Sequence, residues 1–140
     1  MNMNKLFILL VFSVGINATA QVATSGTTNS GTNASAIGYQ SSATNTVSTA
    51  IGRETLASGI TSTAMGYQTS ATNTASTAMG NSSTASGVTS TAIGNNSTAS
   101  GETSIAMGFE TEATNSASIA MGHQTTSTGG ASTAMGFITT

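Results

Sequence analysis

His123 is the single histidine of this 140-residue chain, and Glu54, Glu102, Glu110 and Glu112 are its only acidic side chains. There is no Asp and no Cys, so the parts for a Ser-His-Asp relay, a thiolate nucleophile, a disulfide framework or a thiolate metal site are missing. Glu110 and Glu112 are two residues apart, which puts them on one face if a strand runs through both; such a pair reads as a solvated rim patch rather than an acid/base dyad. Calcium-binding nonapeptide repeats need Asp at fixed places. Phosphate loops need a Lys and a strand-to-helix setting, and the glycines here have neither. The expectation is a protein with no catalytic residues, no metal site and no cofactor, and hence not an enzyme.

What, then, do the remaining residues build? Only 4% of the chain is charged and 4% aromatic, too little of either for an ordinary globular core. Residues 1–20 read as a signal peptide: Lys5 at the positive start, Leu6 to Val14 as the apolar run and Ala18-Thr19-Ala20 before cleavage at Gln21. The apolar run is shorter than the ~20 residues of a bilayer span. The protein is therefore expected to be exported, to the cell surface (outer membrane) or into the medium. Beyond the leader, Arg53 stands alone against the four Glu, a net charge of −3 that excludes nucleic-acid binding. The absence of Pro leaves every backbone N–H free to join a sheet.

The organising feature is a repeat. After a lead-in at residues 21–33, Ala-Ile/Met-Gly recurs every 14 residues from Ala36 to Ala134, eight times without an insertion, and the repeat region spans residues 34–140. With that Ala as coil position one, position two holds Ile37, Ile51, Met65, Met79, Ile93, Met107, Met121 and Met135. Position three is always Gly: Gly38, Gly52, Gly66, Gly80, Gly94, Gly108, Gly122 and Gly136. Position ten is Asn or Gly (Asn45, Gly59, Asn73, Gly87, Gly101, Asn115, Gly129), and position thirteen is always Ser, from Ser48 to Ser132. A disordered Ser/Thr/Asn/Gly linker needs composition but no phase. The strict register points instead to a folded array.

Fourteen residues suffice for two strands of about five residues joined by two tight turns, which is one coil of a parallel β-solenoid. Position ten, where Asn and Gly tolerate a left-handed backbone, marks one turn, and the position-three Gly marks the edge of the other. Stacking at about 4.8 Å per coil gives a rod about 34 Å long.

Strand alternation assigns the faces. In Ser62-Thr63-Ala64-Met65-Gly66, Ser62, Ala64 and Gly66 point one way, and Thr63 and Met65 the other. Position eight is Ala in Ala43, Ala57, Ala71, Ala85, Ala99 and Ala113, with Ser127 in the seventh coil. Small residues of both strands can meet inside a thin coil that has no room for Met65. The Ile/Met column then faces outward, beside a position fourteen that is mostly Thr but Ile105 and Ile119 in two coils. The alternative is a roomier coil with Ile/Met inside and Ala and Ser outside. An outward apolar stripe predicts self-association, and a closed cyclic assembly brings identical stripes together on its axis. At roughly 1.5–3 kcal/mol for each buried side chain, the column can contribute on the order of 10–20 kcal/mol per chain before the cost of association.

Position four carries Tyr39, Arg53, Tyr67, Asn81, Asn95, Phe109, His123 and Phe137, and with it every aromatic residue after the leader. Tyr39, Tyr67, Phe109, His123 and Phe137 are candidates for contact with a ligand or a neighbouring subunit. Stacking along the edge of the coils is the alternative use of the same rings.

Ser-x-Ala-Ile/Met-Gly followed by Ser/Thr-x-Ala-x-Gly/Asn, nearly complete in Ser90-Thr91-Ala92-Ile93-Gly94-Asn95-Asn96-Ser97-Thr98-Ala99-Ser100-Gly101, resembles the head repeat of YadA-like trimeric autotransporter adhesins over residues 34–140. The resemblance implies a left-handed parallel β-roll, assembled as a homotrimer, that exposes an adhesive surface for extracellular matrix or cell-surface ligands. Adhesive members often carry Asn or Asp before the repeat Ser, where this chain has Val47, Thr61, Ala75, Thr89, Thr103, Ala117 and Ala131. Neither stalk heptads nor barrel strands are evident up to Thr140. No membrane anchor is expected within this stretch, which reads as a fragment, a truncated product or a head without its own anchor.

The leading expectation is a surface adhesin head that mediates attachment. A second is an ice-binding solenoid, built on outward hydroxyl pairs at positions seven and nine such as Ser42/Thr44, Ser70/Thr72 and Thr98/Ser100; Leu56 and Glu112 interrupt that array. A third is a structural spacer or fibre segment.

Overall fold

A computed structural model describes residues 25–140 as a parallel β-solenoid, with no helix among the described residues. The expected leader lies outside these residues. Two strand series alternate along the chain. The short series is β1 (Thr28–Asn29), β3 (Ser42–Ala43), β5 (Leu56–Ala57), β7 (Ser70–Ala71), β9 (Thr84–Ala85), β11 (Thr98–Ala99) and β13 (Glu112–Ala113). The long series is β2 (Ser35–Tyr39), β4 (Thr49–Arg53), β6 (Thr63–Tyr67), β8 (Thr77–Asn81), β10 (Thr91–Asn95), β12 (Ile105–Phe109), β14 (Ile119–Ser127) and β15 (Thr133–Thr139).

Each long strand pairs in parallel with the next at a register of one repeat: Ala50 lies opposite Ala64, Ile51 opposite Met65 and Gly52 opposite Gly66. The short strands pair in the same way, Thr84 with Thr98 and Ala85 with Ala99. β14 runs through both series and joins them, pairing with β12 on one side of the coil and β13 on the other. The second strand is shorter than expected. It keeps two residues of the anticipated five, between the corner at position five and the turn that opens at position ten.

Those corners are left-handed. Positions five and twelve hold positive φ in every described coil, for example Glu54 at 56°, Thr61 at 54°, Gln68 at 53° and Ala75 at 54°. The inter-coil ladder continues through them: Glu54 N donates to Tyr39 O at 2.8 Å, and Thr61 N to Thr46 O at 2.9 Å. A left-handed residue thus turns the chain sharply without releasing its hydrogen bond to the previous coil.

Position ten is the correction. It opens a turn, since Ser62 N donates back to Gly59 O at 3.2 Å, but it is not the left-handed residue; that is position twelve, two places on. On the backbone that Gly59, Gly87 and Gly101 adopt, a Cβ would collide with backbone of the next coil, whereas the Asn that holds this position in other coils reaches across to it, as Asn45 Nδ2 does in donating to Ser58 O at 3.1 Å. Position three also departs from simple alternation. Gly66 is exposed rather than facing inward with Ser62 and Ala64. Its φ of +128° breaks the strand pleat, and its missing Cβ would point along the stack into Gly80.

The core is correspondingly thin. Ala64, Ala71, Ala78 and Ala85 are fully buried, as are their counterparts in neighbouring coils. Between them run two columns of buried hydroxyls. Position thirteen closes the turn, with Ser62 Oγ donating to Gly59 O at 2.7 Å and Ser90 Oγ to Gly87 O at 2.8 Å. Position six bonds the next coil or its own column: Ser83 Oγ donates to Gly94 O at 3.0 Å, and Thr55 Oγ1 to Ser41 Oγ at 2.9 Å. Ala is the largest buried hydrophobe among the described residues, so the fold relies on its backbone ladder and close packing as well as on apolar burial.

Candidate functional site

The long strands present their outer face as a continuous apolar column. Ile37, Ile51, Met65, Met79, Ile93, Met107, Met121 and Met135 occupy the centre of successive strands and lie on the outside of the coil. The roomier coil with these residues inside is not what forms, because Ala and Ser/Thr already fill the interior. Side chains in the middle of the column are half-buried by those above and below, while Ile37 and Met135 at its ends are 37% and 60% exposed. Thr63 and Thr77 flank Met65 and Met79 two residues away on the same face, and Ile105 and Ile119 widen the apolar strip beside Met107 and Met121. The adjacent position-three glycines carry no side chain, so the strip stands in low relief on an extended sheet.

Position four forms a second column at the edge of that sheet, divided into two stacked groups. The Arg53 guanidinium lies 5.7 Å from the Tyr39 ring centroid and 5.4 Å from that of Tyr67, a cation held between two π faces. At the other end, His123 is sandwiched between Phe109 at 4.8 Å and Phe137 at 4.9 Å, with interplanar angles of 16° and 24°. Its Nδ1 is buried without a hydrogen-bond partner. Exposed Asn81 and Asn95 separate the two groups. The rings stack on one another because strand spacing sets a rung of about 4.8 Å. Ring edges and the outer face of Phe137, 69% exposed, remain open to solvent.

A column that the residue patterns alone did not single out runs beside it at position five. Gln68 Nε2 donates to Glu54 Oε2, and Gln124 Nε2 to Glu110 Oε2, each at 2.8 Å across one coil. Glu54 also accepts from Arg53 Nε at 3.0 Å, an exposed ion pair of small energetic weight. The recurrence of Gln and Glu 14 residues apart was the available signal.

Glu110 and Glu112 are not a strand pair. Glu110 sits at a left-handed corner and bonds Gln124, whereas Glu112 is exposed on β13. They line a shallow open hollow of about 340 Å³ with Asn96, Thr98 and Thr111. Nothing there excludes water or sets an acid against a base. Among the described residues no group of His, Asp, Glu or Cys is placed to hold a metal ion. The hydroxyls at positions seven and nine are half-buried or exposed, but only position seven lies on the short strands, which are two residues long.

Residues 30–55, 57–83, 85–111 and 113–137 each match the YadA head domain repeat in its two-copy form. Each match takes in nearly two coils, in keeping with the frequent alternation of Gly and Asn at position ten. No curated relative matches the chain. The four matches cover most of the sequence and coincide with the stacked coils, and the chain belongs to the YadA head repeat family.

Proposed function

We propose that this chain is the head segment of a surface-exposed adhesin, working as an elongated homotrimer in attachment rather than in catalysis. The observation that carries the reading is the outward Ile/Met column. It is an unbroken apolar strip on an extended sheet, of a kind that solvated monomers rarely display. Membership of the family supports the same reading, since its heads are in general trimeric adhesin segments. Three chains related by a three-fold axis would each bury the strip against identical neighbours. The position-four column, with its open ring edges, is the surface offered to an extracellular matrix or cell-surface ligand. An ice-binding role draws less support, because Leu56 and Glu112 break the hydroxyl array and its strands are short.

Light scattering on the purified exported chain at micromolar concentration tests the assembly. The expected mass is that of three chains. Ile93→Lys together with Met107→Lys should return it to one chain with the far-UV circular dichroism of the sheet unchanged. A folded, monomeric parent would overturn the proposal.

A further inference from the structure

Every methionine of the described chain stands in one column. Met65, Met79, Met107, Met121 and Met135 all occupy coil position two, outside the coil, with their side chains half-buried or exposed in the single chain. If only apolar contact mattered, Ile would serve in all eight coils as it does in three. We infer that this column is a modification site for peroxide-type oxidants, and that methionine sulfoxide formed there blocks assembly of the head. The inference rests on the proposed role of the column in self-association.

The chemistry is an oxygen transfer. Hydrogen peroxide delivers one oxygen atom to the thioether sulfur, which loses two electrons as the S–O bond forms; the O–O bond breaks, and the reduced oxidant leaves as water. A flexible apolar side chain becomes a polar one that accepts hydrogen bonds and donates none. On this sheet the consequence depends on the flanking position fourteen. Beside Met65 and Met79 stand Thr63 and Thr77, whose hydroxyls can donate to a sulfoxide oxygen. Beside Met107 and Met121 stand Ile105 and Ile119, which cannot. A sulfoxide at either of these places would enter an apolar contact with no donor from its own strand, the costly arrangement for any buried polar group.

The coil itself should be indifferent. No methionine belongs to its interior, which is Ala, Ser and Thr. Oxidation therefore separates folding from assembly: the oxidised chain still forms its solenoid but does not associate. In the assembled head the same sulfur atoms are covered, so chains are vulnerable before assembly and protected after it.

The test unfolds the exported chain in guanidinium, treats it with hydrogen peroxide until peptide masses show all five methionines as sulfoxides, refolds it and measures its mass against concentration. The expected result is the circular dichroism of the untreated chain with a half-assembly concentration raised at least about 100-fold, corresponding to about 5.5 kcal/mol per trimer because that concentration varies as the square root of a trimer's dissociation constant. A variant with all five methionines replaced by Leu, a volume-conserving change, should assemble equally well with and without peroxide. Oxidised parent chain that assembles at the untreated concentration overturns the inference and leaves the trimeric reading intact. Loss of the sheet signal on oxidation also overturns it, by placing the damage in the coil. An untreated chain that never assembles overturns both.

Discussion

The Cβ that Gly66 lacks would collide with the backbone oxygen of Gly80, one coil further along the stack. The same relation links Gly52 to Gly66 and Gly80 to Gly94, so position three is a file of backbone atoms in contact from coil to coil. A side chain there also meets an unfavourable backbone, since φ is +128° at Gly66.

Gly66→Ala should therefore destabilise the solenoid by more than about 3 kcal/mol, combining a backbone clash that cannot relax with a strained φ. Thermal melts of the variant check this. A loss below 1 kcal/mol would show that the stack can open locally to admit a methyl group.

The corner at Val47 makes the opposite case. Its φ is +57°, it is β-branched, and the residue is 48% exposed, so it bears the cost of a left-handed backbone with little packing in return. Val47→Asn should stabilise by about 1 kcal/mol, as Asn tolerates this conformation. A denaturant midpoint at or below that of the parent would contradict the strain argument.

Buried hydroxyls at position six are not equivalent. Thr55 Oγ1 donates to Ser41 Oγ, while Thr69 Oγ1 is buried with no partner. Thr69→Val should thus be neutral or stabilising by up to about 1 kcal/mol, and Thr55→Val destabilising by about 1 kcal/mol. Urea titrations of the two variants side by side decide it; equal effects would mean that the hydroxyl bonds carry no net weight.

Edge stacking and adhesion can be separated at position four. An exposed cation–π contact is worth about 0.5–1 kcal/mol, so Arg53→Ala should lower stability by no more than about 2 kcal/mol. Tyr67→Ala with Phe109→Ala should abolish binding to cells or immobilised matrix while the sheet signal persists. Undiminished binding by that double variant would remove the column from the contact surface and leave it as a stabilising edge.

Much of this architecture was legible in the 14-residue phase. Eight in-register copies specify a solenoid because only a stacked array needs the same residue type at the same place in every turn. Alternation and volume favoured Ala64 and Ala71 in a thin interior and Met65 outside, but a roomier coil with Ile/Met inside stayed open until the buried Ala and Ser/Thr columns closed it. The corners were not legible. Left-handed backbone is usually announced by Gly or Asn, yet here Val47, Thr61, Glu54 and Gln68 adopt it under constraint from the ladder on either side, whereas Asn45, Gly59 and Asn73 do not. Nor could sequence show that His123 lies between Phe109 and Phe137, or that Thr69 lacks the partner Thr55 has. Local residue types determined the repeat and favoured its faces; the stacking of coils about 4.8 Å apart decided the interior and which backbone conformations and side-chain contacts the repeat had to accept.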